Sequence, residues 1–133
     1  MFLSLESGNL LFIDSSHVVK CGSDLQFIMF EVLPRLRPGV FVHFHDVFYP
    51  LDYPPVWLAK GYYWNENYFL RAFLSYNSEW SIQFFNTYAH LVFGDLIREK
   101  MPLCAGHKGG SLYIRREPRD KPDLPRSAIP ESA

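Results

Sequence analysis

The chain has 133 residues, 48% of them apolar and 20% charged, which supplies one globular core and excludes disorder, collagen and coiled coil as the overall class. Thirteen Lys and Arg against fourteen Asp and Glu leave a net charge of -1, so bulk electrostatics give no reason to expect nucleic acid or an anionic membrane as partner. The opening MFLSLESGNLLFI has no basic n-region, and no stretch reaches the roughly 18 uncharged apolar residues of a membrane span, so the sequence reads as a soluble protein.

Leu10-Leu11-Phe12-Ile13 is an apolar run without alternation that stops at Asp14 and the polar Ser15-Ser16-His17. Such a run predicts a strand of a parallel sheet, covered on both faces. Ser23 is a candidate N-cap with Gln26 as its capping-box partner, and Leu25, Ile28, Met29, Val32, Leu33 and Leu36 follow at helical spacing. This predicts an amphipathic helix, bent or re-started at Pro34 and stopped by Pro38-Gly39. Val40 to Phe44 reads as a second strand, ending in His45-Asp46, and the three elements form a βαβ unit.

Both strands thus end in an acid with a histidine nearby. Ligands of open α/β sheets bind beyond the carboxyl ends of the strands, so Asp14, His17, His45 and Asp46 are the candidate site. The plain alternative makes the two aspartates the first polar residues of loops, and His43 a buried, hydrogen-bonded strand residue. A long loop, Val47 to Tyr63, carries Phe48, Tyr49, Tyr53, Trp57, Tyr62 and Tyr63 among three prolines. It is either a lid over the crevice or an apolar cap on the core.

Asn65 then caps a helix with Phe69, Leu70, Phe73 and Leu74 on one face. Trp80, Ile82 and Phe84 alternate with Ser81 and Gln83 as a strand with unequal faces. A helical stretch from Tyr88 to Lys100 leads through Gly106, Gly109 and Gly110 to a last strand at Leu112-Tyr113-Ile114. Residues 117–133 have no aromatic residue and carry Pro118, Pro122, Pro125 and Pro130 among charges of both signs, which predicts a flexible tail. Cys21 and Cys104 are too few and too isolated for a disulfide framework, which fits a cytoplasmic location; Cys21 reads as a passive loop residue, and Arg35, Arg37, Arg115 and Arg116 as solvated positions.

FIDSSH (Phe12 to His17), EVLPRLRPG (Glu31 to Gly39), VFVHFHD (Val40 to Asp46), YWNENYFLRAFL (Tyr63 to Leu74) and the last strand after Gly109-Gly110 together resemble the second half of a class I S-adenosylmethionine-dependent methyltransferase. The resemblance covers residues from about 5 to 116. It implies a Rossmann-like α/β domain over 1–116 whose first three strands would be the fourth to sixth of a seven-stranded sheet. The Leu112 strand would be the reversed seventh, inserted between the fifth and the sixth. The glycine-rich turn of the cofactor half has no counterpart here, so the expectation is a partial domain that binds S-adenosylmethionine weakly alone, and that self-associates or pairs with a missing N-terminal half through its exposed first strand.

In related sugar O-methyltransferases acids at these strand ends hold a divalent cation. Carried over by position, Asp14 and Asp46 would be metal ligands, for magnesium or a softer divalent ion, with His45 adjacent and His17 as candidate base toward a small-molecule O or N acceptor. Two carboxylates about 5 Å apart would repel by roughly 3 kcal/mol at an effective dielectric of 20, which a cation or a proton would relieve. Two other classes stay open: a metal-dependent hydrolase built on Asp14, His17, His43, His45 and Asp46, and a non-catalytic interaction module.

Overall fold

The computed structural model describes residues 2–118. A short 3₁₀ turn, Phe2–Ser4, precedes β1 (Leu10–Ile13). The crossover begins as α1 (Asp24–Phe27), widens into a π-helical stretch over Ile28–Val32 and tightens into a 3₁₀ turn over Leu33–Arg35. Then follow β2 (Phe41–His45), α2 (Pro55–Ala59), α3 (Glu66–Ser75), β3 (Trp80–Phe85), α4 (Asn86–Val92), α5 (Gly94–Lys100), α6 (Pro102–Ala105) and β4 (Ser111–Arg116). No helix among the described residues is long and apolar enough to cross a membrane.

The four strands form one mixed sheet in the order β1-β2-β4-β3. β1 and β2 are parallel, with Ile13 opposite Phe44. β4 is antiparallel to both of its neighbours, pairing Phe44 with Leu112 on one side and Phe85 with Leu112 on the other. The last described strand is therefore reversed and inserted between β2 and β3, the position that the resemblance implies for it.

Ser23 caps the crossover helix, its Oγ accepting from the Gln26 N–H at 3.1 Å. The amphipathic stripe buries Leu25, Met29, Val32, Leu33 and Leu36 against Val42 and Phe44 of β2 and Leu112 and Ile114 of β4. The helix does not run straight to Pro34: the wide π turn keeps Val32 and Leu33 both facing the core. Its last carbonyls, at Leu33 and Pro34, accept from Arg116 Nη1 at 3.1 and 2.7 Å. Arg116 also pairs with Glu79 at 2.6 Å and is buried, while Arg115 pairs with the buried Glu117. These two arginines are structural ties, not solvated positions. Glu117 belongs to the folded body, and the extension expected over 117–133 lies outside the described residues from 119 onward.

Two sequence expectations change at the sheet. β1 is not covered on both faces among the described residues: Ile13 enters the core, but Leu10 and Phe12 are 51% and 57% exposed on the other face. In β3 the register shifts between Ile82 and Phe84, so Phe84 is turned out of the core and Phe85 into it, while Ile82, ahead of the shift, is half exposed although Trp80 is buried. A bulge reverses which residues face the core beyond it, and simple alternation fails there. The stretch expected as one helix over 88–100 is two, α4 and α5, which meet at Phe93 and Gly94.

Candidate functional site

Because β1 and β2 are parallel and in register, their carboxyl ends open on the same side of the sheet. Asp14 follows Ile13 and Asp46 follows His45. His17 and Asp46 both adopt left-handed backbone, with φ of 56° and 57°. Histidine and aspartate tolerate this region better than most residues, yet each such residue costs on the order of 1–3 kcal/mol and persists only when its surroundings hold it. The Asp46 N–H donates to the Gly110 carbonyl at 2.7 Å, and a side chain at Gly110 would strike the Phe48 ring. The glycine pair before β4 thus lets the Asp46 turn pack against the sheet.

His17 is held by the first turn of α3. Its carbonyl accepts from the N–H groups of Asn65 at 3.1 Å and Glu66 at 3.3 Å. Asn65 clamps the next residues: its Oδ1 accepts from the Val19 N–H at 2.6 Å and its Nδ2 donates to the Val19 carbonyl at 3.1 Å. It makes no side-chain cap on its own helix, so the expected capping role is replaced by this bridge between segments. Glu66, 1% exposed, places Oε2 2.7 Å from His17 Nδ1, and the Trp64 ring lies against the imidazole with centroids 4.1 Å apart.

The imidazole side chain is itself only 8% exposed. Its other nitrogen, Nε2, faces Asp14 Oδ1 at 3.5 Å and Asp46 Oδ2 at 3.9 Å, both longer than a normal hydrogen bond. Asp14 is 55% exposed and Asp46 26%. Asp46 Oδ1 lies 3.6 Å from His45 Nε2, so Asp46 stands between the two histidines. Asp14, His17 and Asp46 therefore meet at one point, and His45 borders it from the far side of Asp46.

Burial alone would lower the His17 pKa, but the Glu66 hydrogen bond and the charges of Glu66, Asp46 and Asp14 outweigh it and raise it above 6.5. Burial raises Glu66 above its ordinary 4.5, with His17 opposing. Both shifts favour the protonated form in the folded protein. Their contribution to stability is fully present below the unfolded values and is lost as pH rises through the folded ones. Urea midpoints are thus expected to fall as pH rises from about 6 toward 8, and Glu66→Gln is expected to flatten that slope; an unchanged slope in the variant contradicts the pairing.

His43 is buried beneath this region, between Phe12 at 4.7 Å and Tyr113 at 4.4 Å. Its Nε2 has no hydrogen-bond partner among the described residues, so it is buried as expected but not satisfied there. Burial and the nearby His45 charge lower its pKa. Among the described residues no three His, Cys, Asp or Glu side chains are grouped to hold a metal ion. Asp14 and Asp46 converge, but a three-ligand set does not form around them. Nor does any described strand run into a glycine-rich turn at a helix N-terminus: β1 ends in Asp14-Ser15-Ser16, and Gly109-Gly110 precedes a reversed strand. These residues do not by themselves fit S-adenosylmethionine.

The aromatic loop is neither an open lid nor a simple cap. Trp64 is sandwiched between His17 and Tyr62, the latter stacked at 5.2 Å and 7°, and Trp57 meets both rings edge-on. The cluster forms a wall behind the imidazole. Sequence reasoning missed Glu66 and reads Trp64 only as a core or lid anchor; the available signal was the polar Asn65-Glu66-Asn67 run opening an otherwise apolar helix directly after a tryptophan. No family model, curated protein or solved structure matches the chain.

Proposed function

We propose that this site is the acceptor side of a class I S-adenosylmethionine-dependent methyltransferase, in which the strand ends orient a small-molecule O or N acceptor and His17 takes its proton. The sheet order carries the reading: three parallel strands with a reversed strand inserted between the second and third, and the His17–Glu66 couple at their carboxyl ends. Glu66 accepts from Nδ1–H and so leaves the Nε2 lone pair toward the acceptor. Asp14 and Asp46, beside Nε2, are the carboxylates that would orient the acceptor, and Trp64 keeps water from one face of the ring.

S-adenosylmethionine, when bound, supplies the methyl group as a sulfonium; its binding contacts are assigned to polypeptide outside the described sheet, an N-terminal half that pairs with β1. Residues 1–133 alone then turn over weakly or not at all. Asp14 and Asp46 are the carboxylates a magnesium or other divalent ion would use. A second reading, an interaction module, is favoured by the exposed Leu10 and Phe12 beside the free side of β1 and by exposed Leu91 and Leu103 on α4 and α6.

Calorimetric titration with S-adenosylhomocysteine tests the first reading. The expected result is no measurable heat with the 133-residue chain and binding once the chain is extended upstream. Micromolar binding by the chain alone overturns the assignment of the cofactor contacts elsewhere. Absence of binding by both forms overturns methyl transfer itself and leaves the interaction module.

A further inference from the structure

We propose that the groove between β3 and the α4–α6 segment binds a medium-chain carboxylate, its apolar tail along the groove and its head group on two imidazoles and an amide. The groove encloses a cavity of about 340 Å³. A cavity of about 150 Å³ accommodates benzene, so this one has room for an acyl chain of roughly eight carbons. Phe84, which the bulge in β3 turns out of the core, forms one wall, and Ile97, Met101 and Leu103 follow along α5 and α6. A single ring offers a flat guest no second ring to stack on. Branched side chains and a flexible thioether instead mould themselves to a flexible chain.

The polar part of the lining is Asn86, His90, His107 and Cys104. None of these four side chains makes a hydrogen bond or ion pair with another described residue. Each imidazole keeps at least one N–H in either protonation state, and the Asn86 amide has two. No Asp, Glu, Lys or Arg lines the groove. On α5 beside it Asp95 pairs with Arg98 and Glu99 with Lys100, so those charges cancel locally. Lys108, next to His107, has no carboxylate partner among the described residues and leaves the surplus charge of this turn positive.

That balance selects the head group. An alkylammonium finds no carboxylate on the wall. An alcohol brings a single oxygen and no charge. A carboxylate brings two oxygens with about four lone-pair sites, so it accepts an N–H from each imidazole and from Asn86 as charge-assisted bonds. None of these residues belongs to the His17 site, and β4 separates β3 from β2 in the sheet, so the inference does not rest on methyl transfer.

The test titrates the 133-residue chain with octanoate, octanol and octylammonium by calorimetry, and follows cysteine alkylation by iodoacetamide with peptide mass mapping. Octanoate is expected to bind saturably at one site, roughly tenfold or more tighter than octanol or octylammonium. Saturating octanoate is expected to slow alkylation of Cys104, which lines the groove, and to leave the exposed Cys21, between β1 and α1, unchanged. His90→Leu combined with His107→Leu is expected to abolish the preference for the acid over the alcohol with near-UV circular dichroism unchanged, because neither imidazole is bonded to the fold. Leu103→Ser, at a side chain 93% exposed, is expected to weaken octanoate without altering stability. Absence of saturable octanoate binding, equal affinity for acid and alcohol, or tighter binding of the amine overturns the proposal. So does a Cys104 alkylation rate untouched by octanoate, or an acid preference that survives the double histidine substitution.

Discussion

His17→Ala in the upstream-extended protein is expected to lower methyl transfer by roughly 10²- to 10⁴-fold, the range that a positioned general base contributes. Substrate KM should change far less, because Asp14 and Asp46 stay in place. Added imidazole should restore part of the rate, since the cavity left beside Trp64 and Glu66 is shaped for that ring. Glu66→Gln should give a smaller loss together with an acid shift of the rate profile: the neutral amide still meets Nδ1 but no longer supports the imidazolium. A His17→Ala variant that keeps more than half the rate removes His17 from the proton path and leaves it as a fold residue.

Phe44→Ala is expected to destabilise the domain by about 3–5 kcal/mol, a large share of the roughly 5–15 kcal/mol by which a domain is ordinarily stable. Phe44 has no exposed surface, stands on the central β2 with Ile13 and Leu112 as its register partners, and belongs to the face that meets the crossover helix. Urea unfolding at fixed pH measures the loss directly, and a cost below about 1 kcal/mol contradicts a single core centred on β2. Phe12→Ala, on the open face of the same sheet, serves as the control, because its ring is already mostly in water.

The contrast between those two phenylalanines marks how far the sequence is legible. Apolar runs, the Ser23 cap and the two strand-end aspartates depend on local chemistry, and each lies where its neighbours in sequence imply. The exposure of Phe12 depends on what lies over a sheet face, which a run of apolar letters does not encode. Phe84 escapes the alternation rule because a single bulge after Ile82 shifts every later side chain in the strand to the opposite face. Glu66 is hidden for another reason: a glutamate in the first turn of a helix ordinarily serves the helix dipole in water. Here it reaches back across the chain to His17, and only the packing of α3 against the β1–α1 connection turns it into a buried partner. The site's acids are found by topology; its histidine's support comes from tertiary contact.

The placement of β4 has a consequence for how the molecule is made. Phe41 must wait for Arg115, and β3 has no neighbour to join until that same strand arrives, because β4 alone links it to β2. During synthesis on the ribosome β1, its crossover and β2 can associate early, but the middle of the sheet stays vacant until nearly all of the described polypeptide has emerged. Such late, long-range closure slows folding and leaves β2 temporarily open to wrong neighbours.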